Sequence, residues 1–233
     1  MPLGGKPVLV HVIERLRHAR RVSSIVVASS DGADDDRIAD VTRAHECQVY
    51  RGSLEDVLGR YAGAAKAANA DIVVRITADC PLVCGVVVDG MIERYSSAAG
   101  ASRKPIVVTN ARQRTFPRGL DAEVFDLAAL DIAAQNARAA HQREHVTPYL
   151  YEHPEAFEII DYVQSQDLSA ARWTLDTPDD YRMLSEFFRM LGAGDDADLD
   201  DLVRIWNANP ALHAINAGVV QKSHPVACQQ TDG

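Results

Sequence analysis

The chain lacks any apolar run near the roughly 20 residues that a membrane-spanning helix needs, which excludes a bilayer protein of that type. Its start is neither basic followed by an apolar core nor rich in Arg and Ser, so no export signal is expected and a cytoplasmic location is. Positive charge is short: 24 Lys plus Arg face 33 Asp plus Glu, a formal charge of -9. Nucleic-acid binding needs clustered cations to release counterions, so general affinity for nucleic acid is not expected, although a few local Arg residues suffice for a small anion. Cysteine is scarce too. Cys47, Cys80, Cys84 and Cys228 form no CxxC pair and no metal-finger spacing, which predicts reduced thiols. GxGxxG, HExxH and a Ser/His/Asp order are absent, removing support for dinucleotide, zincin and serine-hydrolase readings.

What is present alternates. Residues 7 to 20 read as an amphipathic helix with Val8, Val12, Leu16 and Ala19 near one stripe, and 24 to 28 read as a buried strand. A helix at 34 to 45 follows, with Asp34, Asp35 and Asp36 at its positive end. Next come a strand at 47 to 50, a helix with Ser53 as its cap, the strand DIVVRIT and a helix at 85 to 99. Further strands are predicted at 105 to 109, 122 to 126 and 157 to 163, and a helix at 127 to 139. ARWTLDTPDDY reads as a strand running into a helix capped by Asp176 or Thr177, with Pro178 at its first position, and a last helix covers 198 to 207. Such alternation predicts an α/β fold, a mixed, mostly parallel sheet with helices on both faces. One domain over 1–222 and a loose tail over 223–233 are expected.

In open α/β sheets, ligands sit beyond the carboxyl ends of the strands. Three polar stretches fall at such places: Arg51-Gly52-Ser53, Ala78-Asp79-Cys80-Pro81 and Asp176-Thr177-Pro178-Asp179. Asp79 and Asp176 either cap the helices that follow or, with substrate phosphates, supply oxygens to Mg²⁺. RTFPRGLDAEVF crowds Arg118, Asp121 and Glu123 beside a strand start, as a solvated hairpin edge or as a binder of anions and sugar hydroxyls. QREHVTPYLYEHP sets Arg143 and His145 ahead of Thr147-Pro148, a helix-start signal.

Together, GKPVLVHVIERL, IVVASS, YRGSLEDVLGRY, VVRITADCPL, PRGLDAEVF, REHVTPYLYEHPE and RWTLDTPDDY resemble the cytidylyltransferase family that makes CMP-activated sugars, in its spore-coat polysaccharide branch. The resemblance runs from residue 2 to about 222. It implies a Rossmann-like nucleotide-diphospho-sugar transferase fold. It also implies transfer of CMP from CTP to a sugar or sugar acid with release of pyrophosphate, and Mg²⁺ as cofactor. By the same resemblance Asp79 and Asp176 are metal ligands and, with Arg118, catalytic. Arg51, Gly52, Ser53, Asp56 and Arg75 lie on the nucleotide, and Arg118, Asp121, Glu123, Arg143 and His145 face the acceptor sugar. Homodimers occur among such relatives. A non-catalytic relative that binds nucleotide or a partner subunit is one rival reading. A glycosyltransferase is another, for which the DxD of Asp34-Asp35-Asp36 at a helix start offers slender support.

Family members begin with a strand and an RxPGK loop ahead of the segment that here reads MPLGGKP, and neither is in this sequence, so Lys6 is not the loop's lysine. Met1 is accordingly expected to be an internal start within a longer frame, or a truncation. Four or five buried apolar side chains are worth about 6–15 kcal/mol at roughly 1.5–3 kcal/mol each. The 233 residues alone are therefore expected to be unstable or inactive unless another segment takes that place.

Overall fold

A computed structural model describes residues 2–192 and 196–221; the tail expected from 223 lies outside them. The first elements are a two-residue ladder of β1 (Pro2–Leu3) with β2 (Lys6–Pro7), then α1 (Val8–Leu16) and β3 (Val26–Ser30). One 3₁₀ turn leads to α2 (Asp36–Ala44), followed by β4 (Gln48–Gly52), α3 (Val57–Ala67) and β5 (Ile72–Arg75). The middle of the chain holds α4 (Gly85–Ala99), β6 (Ile106–Thr109), β7 (Glu123–Asp126), α5 (Leu127–Asn136), α6 (Ala140–His145) and α7 (Pro148–Glu152). It closes with β8 (Glu158–Asp161), α8 (Pro178–Leu191), α9 (Leu199–Ala208) and α10 (Pro210–Asn216). No helix among the described residues is long and apolar enough to cross a membrane.

The sheet is mixed. β3 and β4 run parallel as a pair, and the other four strands follow the order β5-β7-β6-β8. β7 is antiparallel to both neighbours, while β6 and β8 are parallel. Side chains alternate across a strand with period two. Val74, Val108 and Val124 face one core with Val12 and Leu16 of α1, Met91 of α4 and Phe187 of α8. Val73, Val107 and Phe125 face the other core with Leu58 and Ala62 of α3 and Leu130 of α5. Both faces of the four-stranded sheet are therefore covered, which is why its strands read as continuous apolar runs.

Local chemistry sets several boundaries differently from the sequence reading. α3 begins at Val57, capped by Asp56, whose Oδ1 accepts the Gly59 N–H at 2.9 Å; Ser53 is exposed in the loop before it. A carboxylate one residue before the first turn reaches the free N–H groups that Ser53 is too distant to meet. Thr177 caps α8 in a reciprocal box with Asp180, and Pro178 takes the first helical position. No strand precedes it: residues 171 to 173 make only a bridge, Arg118 to Arg172. The last helix is followed by another, α10, started by Pro210.

β3 and β5 share no ladder. Between them runs a slot of about 780 Å³, flanked by the two strands and floored and roofed by α1 and α3. Its two flanks have the same polarity. Arg60 of α3 lies against Gly52 at the carboxyl end of β4, and Tyr61 beside it donates to the Ile76 carbonyl just past β5 at 3.2 Å. One helical turn thus touches the carboxyl ends of both strands.

Candidate active site

Three loops meet at that end. The first follows β5 and carries Thr77, Asp79 and Cys80; the second joins β6 to β7 and carries Arg114, Arg118 and Asp121; the third leads into α8 and carries Arg172 and Asp176. Backbone hydrogen bonds bind them. Leu175 N–H donates to the Asp79 carbonyl at 2.9 Å, so the two aspartates expected to work together sit on abutting segments. Arg118 N–H donates to Ala171 at 2.9 Å, and its carbonyl accepts from Trp173 at 2.6 Å. Gly119 between them has φ +103°, and a Cβ there would lie 2.5 Å from the Trp173 carbonyl carbon. Only glycine allows that approach. The buried Asn110 holds the other side of the loop, donating to the Leu120 carbonyl at 2.7 Å and accepting from Ala122 N–H at 2.9 Å.

Asp79 Oδ1 is held by the Thr77 hydroxyl and by the Cys80 thiol, the latter at 3.4 Å. Burial raises the Cys80 pKa well above its usual value, and the Asp79 and Asp121 charges add to it, so this sulfur stays a protonated donor. Asp176 Oδ2 accepts from Arg172 at 2.6 Å. Arg172 is in turn gripped by the fully buried Asp180, Nε to Oδ1 at 2.8 Å and Nη2 to Oδ2 at 2.9 Å. Each of the two aspartates keeps one carboxylate oxygen without a hydrogen-bond partner among the described residues. Arg114 is paired with Asp121. Arg118, by contrast, has no hydrogen bond or ion pair from its guanidinium among the described residues. Its pKa is lowered, first by burial and then by repulsion from Arg114. Repulsion from Arg114 and Arg172 is only partly offset by Asp121 and Asp176, and a half-buried cation so placed favours an anion.

The remaining residues singled out in the sequence are engaged elsewhere. Arg75 and Glu123 are register partners across β5 and β7, joined at 2.6 Å, and Glu123 also accepts from the Tyr151 hydroxyl. Burial alone would lower the Arg75 pKa, but the Glu123 charge more than reverses it and the pKa is raised. Tyr151 is pushed well above the usual phenol range by burial and then by Glu123. Arg51 donates to the Ser30 and Gly32 carbonyls at 2.8 and 2.6 Å and to Asp36 at 2.5 Å, tying β4 to the loop after β3. Gly52 is half-buried and Ser53 exposed. Arg143 pairs with Asp56 and donates to the Ala134 carbonyl at 2.8 Å. His145 lines the slot beside β5. Sequence reasoning passed over Arg114, Tyr151, Arg172 and Asp180. The four-residue spacing of Arg172 to Asp176 was the one readable sign of any of them.

A mixed α/β sheet whose loops gather acids and a guanidinium unpaired among the described residues at one end fits a nucleotidyltransferase-type enzyme. The comparisons narrow the class. The family model described as cytidylyltransferase matches residues 1–193. The solved structure of a cytidylyltransferase from Leptospira borgpetersenii is 31% identical, with a TM-score of 0.85 over 96% of this chain and 91% of that one. The uncharacterized protein MJ1063 of Methanocaldococcus jannaschii is 31% identical over 96% of this chain and 89% of its own length. The spore coat polysaccharide biosynthesis protein SpsF of Bacillus subtilis is 27% identical over 90% and 87%. The chain belongs to the cytidylyltransferase family.

Proposed function

We propose that this chain's site transfers CMP from CTP to a hydroxyl of a sugar or sugar acid for surface-glycan biosynthesis. The hydroxyl oxygen bonds to the α-phosphorus, its proton passes to water, and the α,β-bridging bond breaks to release pyrophosphate. The observation that carries the reading is the junction of Asp79 with the Asp176 loop, Leu175 N–H to Asp79 carbonyl at 2.9 Å, beside the unpaired guanidinium of Arg118. The kinship to a spore coat polysaccharide protein supports the glycan direction.

The donor set fits Mg²⁺. Asp79 and Asp176 are hard oxygen ligands with one uncommitted oxygen each, and no group of three or more His, Cys, Asp or Glu among the described residues offers a closed cage. Mg²⁺ keeps water and takes phosphate oxygens, so two carboxylates suffice from the protein. Bound there, it would neutralise phosphate charge. Arg118 would bind the anionic centre of the substrates, and Asp121, held by Arg114, would accept from an acceptor hydroxyl. Arg75, Glu123 and Tyr151 would form the rigid wall between nucleotide and acceptor. Gly52 and Ser53 would border the base. The DxD alternative has no support from this geometry, since Asp35 accepts from Ser29 and Ser30 and Asp36 pairs with Arg51.

The test is pyrophosphate release from CTP and a panel of neutral and acidic sugars with Mg²⁺, in the full chain and in Asp79→Asn and Asp176→Asn. Each substitution is expected to lower turnover about a hundredfold or more with the circular dichroism spectrum unchanged. Near-normal rates in both variants would overturn the assignment.

A further inference from the structure

We propose that Arg172 is a positioning residue that aims Asp176 at the cation, and that α10 and Gln221 belong to the site because they hold Arg172. This role rests on the cation placement proposed above for Asp79 and Asp176. The Asp176 side chain is 44% exposed, in the loop just before α8. The last torsion of an aspartate is broad, so an exposed carboxylate turns unless another group fixes it. Mg²⁺ demands near-ideal octahedral geometry and is poorly served by a turning ligand. Arg172 supplies the fixing. A guanidinium carries five N–H donors in one plane. Nε and Nη2 meet the two oxygens of Asp180 at 2.8 and 2.9 Å, Nη2 also meets Asp176 Oδ2 at 2.6 Å, and Nη1 donates to the side-chain carbonyl of Gln221. Asp180 is itself immobile, with no solvent exposure and with its Oδ2 accepting from the Asp176 and Thr177 N–H groups at 3.1 and 3.0 Å. A bidentate pair with so fixed an acid sets the guanidinium plane, and the plane sets the direction of Asp176 Oδ2.

The end of the described chain closes this clamp. Asn216, the last residue of α10 and only 4% exposed, donates from Nδ2 to the Arg172 carbonyl at 3.0 Å and to Asp180 Oδ1 at 2.9 Å. One amide thus ties the Arg172 backbone to the acid that grips its side chain. The Arg172 backbone also bridges to Arg118, so the residue that aims Asp176 seats the Arg118 loop as well. A pair that merely anchored α8 would need less. Thr177 and Asp180 already close the reciprocal box at that helix start, and a lysine would neutralise Asp180 without a fork. What a lysine does not do is hold two carboxylates and a side-chain amide in one plane. The Arg172 side chain is only 11% exposed, so water competes little for these bonds.

The test titrates Mn²⁺, standing in for Mg²⁺, into the full chain and records paramagnetic broadening of the Thr77, Leu175 and Asp176 amide resonances. The Leu175 amide abuts both acids, since it donates to the Asp79 carbonyl. Saturable broadening is expected in the parent and its loss in Asp176→Asn. Arg172→Lys and Asn216→Ala should each raise the Mn²⁺ midpoint by about tenfold, the usual cost of losing a partner behind a metal ligand, and Gln221→Ala by less. Leu130→Ala is the control for general weakening, because it opens a cavity in the core away from α8 and α10. It should lower the melting temperature more than Asn216→Ala does and leave the Mn²⁺ midpoint unchanged. An Arg172 that only stabilises the fold predicts the opposite pattern, melting temperatures that fall with midpoints that stay. If Arg172→Lys does not fold, the Asn216→Ala midpoint decides. Midpoints unchanged in Arg172→Lys and Asn216→Ala, with binding lost in Asp176→Asn, would overturn the positioning role and leave the cation placement standing. Saturable broadening kept in Asp176→Asn, or absent from the parent, would overturn the cation placement and the positioning role with it.

Discussion

Val107, Val108, Val124 and Phe125 in the four-stranded part of the sheet are fully buried, whereas Val26, Val27 and Val49 in the β3–β4 pair are only partly so. The valines on the two sides are the same residue type with equal strand propensity. The difference lies in neighbours. β7 has a ladder on each edge and a core on each face, and a part-buried pair, Arg75 with Glu123, spans it to β5. β3 has one ladder, and its second edge opens on the slot. Strand burial is a property of the sheet and not of the segment.

The largest contrast should appear when one apolar side chain is cut back in each part. Phe125→Ala removes a ring with no solvent exposure and is expected to cost about 3–5 kcal/mol through lost transfer energy and a cavity. Val27→Ala, beside the slot, should cost about 1 kcal/mol or less. Urea denaturation with shared slopes measures both, and similar midpoint shifts would show that the β3 side is packed as tightly as the β7 side.

A smaller contrast concerns arginines. Glu123→Ala strands Arg75, whose side chain is only 20% exposed, and leaves the Tyr151 hydroxyl without its acceptor, so about 3 kcal/mol is expected. Arg51→Ala removes hydrogen bonds to two carbonyls and to an exposed aspartate, for about 1–2 kcal/mol. Equal losses would mean that the β3–β4 loops are as desolvated as the interior pair.

The same division governs what the sequence made legible. The α/β alternation, the strand cores and the Thr177-Pro178 start of α8 are local in origin, written in periodicity and capping chemistry, and are found in place. The roles of Arg75, Glu123 and Tyr151 depend on a register that pairs residues 48 apart and a helix that lands on them, which no window of sequence contains. Arg51 illustrates the converse. Its position after a strand points to a ligand role, and what the sequence does not show is that Ser30, Gly32 and Asp36 hold its guanidinium, because a loop with free carbonyls lies within its reach. Asp56 against Ser53 differs only by where the first helical turn starts, three residues that capping preferences alone do not separate.

The smallest effect is a matter of protons, and it divides the two parts again. Asp180, in the first turn of α8, and Asp35, after β3, both have pKa values below the ordinary carboxylate value. For Asp180 burial pushes upward, and the Arg172 guanidinium, the Asn216 amide and the Asp176 and Thr177 N–H groups outweigh it. For Asp35 the chief cause is the Ser30 hydrogen bonding at its side chain. A carboxylate with a depressed folded pKa contributes stability that is complete above its unfolded value, about 3.9, and disappears as pH falls through the folded value. Both therefore steepen the loss of stability below about pH 4. The buried network should supply the greater share, since protonating Asp180 uncouples Arg172 from it and with Arg172 the orientation of Asp176. Comparing melting temperatures at neutral pH and about pH 3 within each variant isolates that share from any constant penalty of substitution. Asp180→Asn should flatten the acid fall measurably and Asp35→Asn by less. An acid fall unchanged in Asp180→Asn, or flattened more in Asp35→Asn, would place the proton-sensitive part of the fold on the β3 side of the slot.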